Sequence, residues 1–154
     1  MSKEFPGQPV SRPAAPDIAE KVGLMQGTGG GGKTKVLLVE DDDGIRRAYK
    51  RVLRDYDVIE AVDGADGLKK FQADQGIRVV VTDYQMPKMN GEEMAGKIKG
   101  VRPAGIVMIT STVAVLDRLQ ATPNPNIDIL LEKPVDLDSM IGAIEKLDKG
   151  RLTQ

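Results

Sequence analysis

"GTGGGGKTKVLLVEDDD", Gly27 to Asp43, supports two incompatible readings, and the choice between them decides the fold. Gly27, Gly32, Lys33 and Thr34 satisfy the phosphate-loop pattern G-x-x-x-x-G-K-[ST]. That pattern cradles a phosphate only where a strand enters the glycines and a helix leaves them. The helix then aims its free N–H groups and positive dipole end at the anion. Here the segment before the glycines, VGLMQ, is a poor strand. The segment after them, KVLLV from Lys35 to Val39, is a short apolar run suited to a strand buried on both faces. The glycines therefore read as a flexible linker that ends where a first strand begins. A nucleotide hydrolase using Lys33 and Thr34 ranks last, because no second acidic motif follows a helix leaving the loop. It would bind ATP and lose that binding in Lys33→Ala.

Upstream, residues 1–34 read as a disordered N-terminal tail with its Gly-rich linker. Pro6, Pro9, Pro13 and Pro16 interrupt any helix, and large apolar residues are sparse. A short amphipathic piece is expected around Asp17 to Met25, where Ile18, Val22 and Met25 fall at helical spacing. Downstream, two kinds of segment alternate. Asp43 to Arg54 carries apolar residues at helical spacing, and DVIEA (Asp57 to Ala61) follows as a strand. Asp63 opens a second helix, and VVVT (Val79 to Thr82) is the most apolar strand. Gly91 to Lys99 is a helix, then GIVMIT (Gly105 to Thr110) a strand, then Val113 to Gln120 a helix. IDILL (Ile127 to Leu131) and Asp136 to Lys149 complete five strand–helix pairs.

Strict alternation of this kind predicts an α/β domain from residue 35 to about 150. It is doubly wound, with a five-stranded parallel sheet and five helices on its two faces. Alternation does not give the strand order. Composition narrows the function. The formal net charge of the 154 residues is -1, which argues against nucleic-acid binding through bulk positive charge. With no cysteine there is neither a disulfide framework nor a thiolate zinc site. With no histidine, an imidazole base or phosphocarrier must come from another molecule. No apolar run approaches the ~20 residues that span a bilayer, and the N-terminus has no signal-like apolar core. A cytoplasmic location is the expectation.

In a doubly wound sheet the site lies beyond the C-terminal ends of the strands. Strand one ends in Glu40, Asp41, Asp42 and Asp43, and strand three ends at Asp83. Strand four ends in Thr110, Ser111 and Thr112, and strand five is followed by Glu132, Lys133 and Pro134. Carboxylates gathered in a small space resist ionising together, and a hard divalent cation relieves them. Mg²⁺, a lysine and a hydroxyl would each neutralise or bond one phosphoryl oxygen, and phosphoryl transfer needs mainly such positioning. The set suits a carboxylate that becomes an acyl phosphate, with Asp83 the candidate nucleophile. Read singly, each feature has a plainer explanation. The acids of strand one could be a solvated turn, with Asp43 capping the next helix. Asp83 could be a loop acid before the Met-Pro turn, and Asn90-Gly91 is most simply a turn and helix start.

VLLVEDD, TDYQMPKMNG, MITS and LLEKP occur in that order, and together the stretch from Lys35 to about Lys149 resembles the receiver domain of two-component response regulators. The resemblance implies a flavodoxin-like receiver fold with strand order 2-1-3-4-5. It implies that Asp83 is the phospho-acceptor, Thr110 the switch hydroxyl and Lys133 the phosphate-binding lysine. Asp41 and Asp83 would ligate Mg²⁺ with the Gln85 backbone carbonyl, and Glu40 would act through water. The Lys133–Pro134 bond is expected to be cis. Gln85 and Thr112, each two residues beyond a site residue, are expected to tune the phosphoryl lifetime. The chain departs from the family pattern at Leu130, where a tyrosine or phenylalanine is common, and at Val135, where phenylalanine is common. An ATPNPN loop precedes strand five in place of a short Gly-Ala turn. These departures put the aromatic-coupled readout in question and leave the chemistry intact.

The implied partners are a sensor histidine kinase or histidine phosphotransfer protein and a downstream protein target, with no nucleic acid and no membrane. The expected form is a stand-alone receiver, a monomer or a phosphorylation-dependent dimer. It would catalyse its own phosphorylation and dephosphorylation without turning over a separate substrate. The alternative is a degenerate receiver that acts as a phosphate-independent interaction module.

Overall fold

In the computed structural model, residues 32–152 are described. The expected amphipathic piece at Asp17 to Met25 and the glycines Gly27 to Gly31 lie outside them. Five strands and five helices alternate. They are β1 (Lys35–Val39), α1 (Asp43–Val52), β2 (Asp57–Ala61), α2 (Gly64–Ala73) and β3 (Ile77–Asp83). Then come α3 (Gly91–Val101), β4 (Gly105–Thr110), α4 (Val113–Ala121), β5 (Ile129–Glu132) and α5 (Leu137–Leu152). All four pairings are parallel, and the order is β2-β1-β3-β4-β5. The doubly wound α/β fold and the order 2-1-3-4-5 are both as expected.

The period of two along each strand divides the core between the faces of the sheet. Leu37, Val39, Val80 and Ile106 point to one side, where Phe71 of α2 and Met94, Ala95 and Ile98 of α3 cover them. Val36, Leu38, Val79, Val81, Val107 and Ile109 point to the other, beneath Leu53, Met140, Ala143 and Ile144. β1 and β3 are central, so their apolar residues are closed on both sides; this is why they read as unbroken runs. α4 rests on a separate small cluster. There Val115 and Leu119 pack on Met108, Tyr84, Ile127 and Leu130.

Helix boundaries follow local hydrogen bonds. Asp42, not Asp43, caps α1: its Oδ1 accepts from the Ile45 N–H at 2.9 Å. Asp43 sits in the first turn and pairs with Arg46. α1 ends at Val52, two residues short of the expected Arg54. The Leu53 N–H turns back to the carbonyls of Tyr49 and Lys50, and Leu53 itself is buried. β3 is longer than its apolar run and takes in Asp83 itself. β5 starts at Ile129 rather than Ile127. The Asp128 carboxylate takes the Ile106 N–H at 2.8 Å, and the Asp128 N–H donates to the Ile106 carbonyl at 3.0 Å. A side chain thus completes the ladder there, and regular pairing begins one step later at Val107 and Ile129. α5 starts after Asp136, whose carboxylate accepts from the Ser139 N–H.

Candidate functional site

The register of the sheet assembles the site. Val39 lies opposite Thr82, so Glu40 and Asp83 follow side by side at the ends of the two central strands. Asp83 is level with Ile109 of β4, which places Thr110 one residue beyond it. Thr110 pairs with Glu132, and its carbonyl accepts the Lys133 N–H at 3.0 Å. Lys133 is therefore the first residue past β5, and its bond to Pro134 is cis.

Three carboxylates meet here. One oxygen from each of Glu40, Asp41 and Asp83 lies within 4.8 Å of the other two. Lys133 Nζ stands 3.2 Å from Asp83 Oδ1 and 3.9 Å from Glu40 Oε1. Glu40 is 2% exposed, Asp83 is half-buried and Asp41 is open to solvent. Burial, reinforced by the Asp83 charge, pushes the Glu40 carboxyl up to about 7, against the Asp42 N–H that it accepts at 3.1 Å. Burial also raises Asp83, outweighing Lys133. Burial acts to lower the Lys133 ammonium, but Asp83 and Glu40 overcome it and the pKa is raised. The cluster thus carries more negative charge than one lysine balances. Oxygen donors so crowded fit a small divalent cation such as Mg²⁺.

The turn bearing Asp41 is held from behind by a residue that the sequence reading passed over. Arg46 donates from Nη1 to the Glu40 carbonyl at 2.8 Å, bonds Asp43 through Nη2, and reaches Glu60 at 3.2 Å through Nε. Its signal was positional, one helical turn after the Asp42 cap. Tyr49 was missed too; burial raises its pKa, and Lys133, Glu40 and Asp83 all act on it. Gln85 is exposed and lines a cleft with Asp41, Tyr84, Met86, Pro87 and Asn90. Thr110 is buried, and its Oγ1 accepts the Thr112 N–H at 3.1 Å. Thr112 occupies the start of α4 but makes no side-chain cap bond. Asn90 caps α3 by accepting the Glu93 N–H, and Gly91 sits so close to the Asp83 carbonyl that a Cβ there would collide with it.

Thr34 lies at the opposite edge of the sheet. Its hydroxyl donates to Asp148 Oδ2 at 2.9 Å, and a strand follows it, so it takes no part in a phosphate cradle. No helix among the described residues is long and apolar enough to cross a membrane.

Comparison with known proteins agrees with this geometry. The family profile described as "Response regulator receiver domain" matches residues 36–145. Protein PilG of Pseudomonas aeruginosa is 29% identical over 116 residues, 72% of this chain and 84% of that protein. Transcriptional regulatory protein GlrR of Escherichia coli is 29% identical over 113 residues, 71% of this chain. The match spans only 25% of GlrR, so the chain corresponds to a fraction of such larger relatives. Several relatives are named as transcriptional regulators, and the chain matches only part of each. The receiver domain structure from Clostridium thermocellum superposes with a TM-score of 0.71 at 25% identity, over 79% of this chain and 99% of that one. The CheY-like receiver from Methanospirillum hungatei gives 0.70 at 25% identity, over 80% and 100%. With its parallel sheet, its acidic cluster and its strand-end lysine, the chain belongs to the response regulator receiver domain family, whose members in general accept a phosphoryl group.

Proposed function

We propose that this chain accepts a phosphoryl group on Asp83 from a phosphohistidine of a sensor kinase or phosphotransfer protein, in a Mg²⁺-dependent reaction. The carrying observation is the charge pattern at the strand ends: three carboxylates within 4.8 Å and one ammonium 3.2 Å from Asp83. An Asp83 oxygen attacks phosphorus, the new O–P bond forms, and the donor's N–P bond breaks with its electron pair returning to the imidazole. Lys133 meets one phosphoryl oxygen and the Thr110 hydroxyl donates to another. Asp41, Asp83 and the Gln85 backbone carbonyl would hold Mg²⁺, with Glu40 acting through water. When bound, the ion supplies the positive charge that three carboxylates and a phosphoryl group together require. Gln85 and Thr112 border the path of an attacking water, and neither is a strong base, so the adduct persists long enough to signal.

The reading takes residues 35–150 as the receiver and places it in the cytoplasm. Output is by protein contact or onward phosphotransfer. The test is intact mass after incubation with Mg²⁺ and acetyl phosphate. One added phosphoryl group is expected in the wild type and none in Asp83→Asn, and the adduct decays many-fold faster in Thr112→Glu. An adduct retained in Asp83→Asn would mean that another carboxylate is the acceptor. Leu130 and Val135 favour a second reading, a phosphate-independent interaction module. No adduct, together with no Mg²⁺ binding, would make it the better one.

A further inference from the structure

Helix α4 is attached differently from its neighbours. α1, α2, α3 and α5 each start on a carboxylate or amide side chain, from Asp42, Asp63, Asn90 and Asp136, that accepts a first-turn N–H. α4 starts on Thr112, whose hydroxyl makes no such bond. Its first turn hangs instead from the site, through the Thr112 N–H on Thr110 Oγ1. A missing cap costs a helix about 1 kcal/mol, so the start of α4 is the weakly fixed end.

The rest of α4 packs on Met108, Tyr84, Ile127 and Leu130 and is tied through Arg118 to the Glu92 carboxylate. Tyr84 packs with Val115 and Leu119 on Met108 and Leu130, and it is the one aromatic ring in that cluster. Beyond the ring, Arg118 of α4 forks onto Glu92 of α3 at 2.8 and 3.3 Å, and Asn124 Nδ2 reaches the same carboxylate at 2.8 Å. Glu92 is the main cause of the raised Arg118 pKa, and Tyr84 adds to it. Tyr84 is also the residue after Asp83. Its N–H donates to the Ile109 carbonyl at 3.1 Å, and its carbonyl accepts the Gly91 N–H at 2.8 Å. One residue therefore touches the acceptor by its backbone, the start of α3 by its carbonyl, and α4 by its side chain.

We propose that Tyr84 is the positioning residue through which the state of Asp83 sets the placement of α4, with the Arg118–Glu92–Asn124 cluster as the latch its hydroxyl helps to hold. The proposal rests on Asp83 taking the phosphoryl group. A phosphoryl group on Asp83 draws the Thr110 hydroxyl toward it and disturbs the bond that anchors the start of α4. The same group crowds the Tyr84 backbone, and the ring can follow only by repacking against Val115 and Leu119. Both movements press on one helix, which Arg118 ties to Glu92. A shift in the balance between two placements of α4 follows, with no new contact needed elsewhere.

The test uses the full chain labelled with ¹⁵N, with Mg²⁺ and beryllofluoride as the phosphoryl stand-in. Amide shift changes are read at Gly105–Thr110 for the site and at Val113–Ala121 for α4. Wild type is expected to move both. Tyr84→Leu is expected to keep the site changes while the α4 changes fall below roughly half, and Tyr84→Phe, which keeps the ring, to lie between. A full α4 response in Tyr84→Leu overturns the proposal. Should Tyr84→Leu fail to fold, Arg118→Gln decides. It is expected to move the unliganded α4 amides toward their loaded positions, and unmoved amides overturn the latch. Site changes without α4 changes in the wild type sink this proposal alone. Absence of site changes sinks the acceptor reading and this one with it.

Discussion

At the strand starts, carboxylates are individually matched; at the strand ends, three crowd together and two of them share one lysine. Asp74 binds Lys35 at 2.9 Å and accepts the Gly76 N–H. Asp148 takes Arg78 at 3.0 Å and the Thr34 hydroxyl. Asp128 takes Lys99 and the Ile106 N–H. Lys35 holds the Asp74 carboxyl below its ordinary range. At the other edge, burial raises Glu40 and Asp83. One edge thus gains stability from its charges, and the other gives stability up where its carboxylates crowd together. The same sheet carries both, and the difference lies in how many cations face each carboxylate.

The sharpest contrast is expected from Asp128→Ala. It leaves a buried β4 N–H without an acceptor, and chemical denaturation should show a loss of about 2 kcal/mol. A loss near zero would break the view of the strand starts as the stabilised edge. Glu40→Gln should move the other way. Burial pushes the Glu40 carboxyl up to about 7 in the folded chain, against about 4.5 for a solvated glutamate. Its charge therefore opposes folding: the fold is most stable with Glu40 protonated, and stability is lost as pH rises from about 4.5 to about 7. Glu40→Gln, which still accepts the Asp42 N–H, should flatten that fall and stabilise the metal-free protein at pH 8 by roughly 1–2 kcal/mol. Mg²⁺ affinity should drop in the same variant, seen by calorimetry. Least affected is Arg78→Ala, which removes a partly exposed pair and should cost under about 1 kcal/mol, shrinking further in high salt.

The site edge was legible in the sequence because its chemistry is local. Glu40, Asp83, Thr110 and Lys133 each follow an apolar run that announces a strand end, and a parallel sheet brings strand ends together. The matched edge was not legible. Arg78 and Asp148 stand far apart in the chain, and nothing in either neighbourhood marks the pair. The start of β5 was misplaced for the same reason. Ile127 is apolar and reads as strand, but pairing there is taken over by the Asp128 carboxylate, a partner set by tertiary position. The cap of α1 shows the limit within a single motif. In a run of four acids, composition marks a helix start without saying which acid accepts the bond, and Asp42 does so. Strand order came from the family resemblance, since alternation is compatible with several orders.

Thr34 enters β1 held by Asp148 of α5, at the edge away from the acids. β1 has five residues, so this point of entry and the acidic cluster are separated by roughly 15 Å of strand. α5 returns to the same side. Thr34 itself thus lies at the end of the sheet away from the approach of a phosphoryl donor. For immobilised assays of phosphotransfer, that makes the entry to β1 the better point of attachment than any loop between β3 and α3.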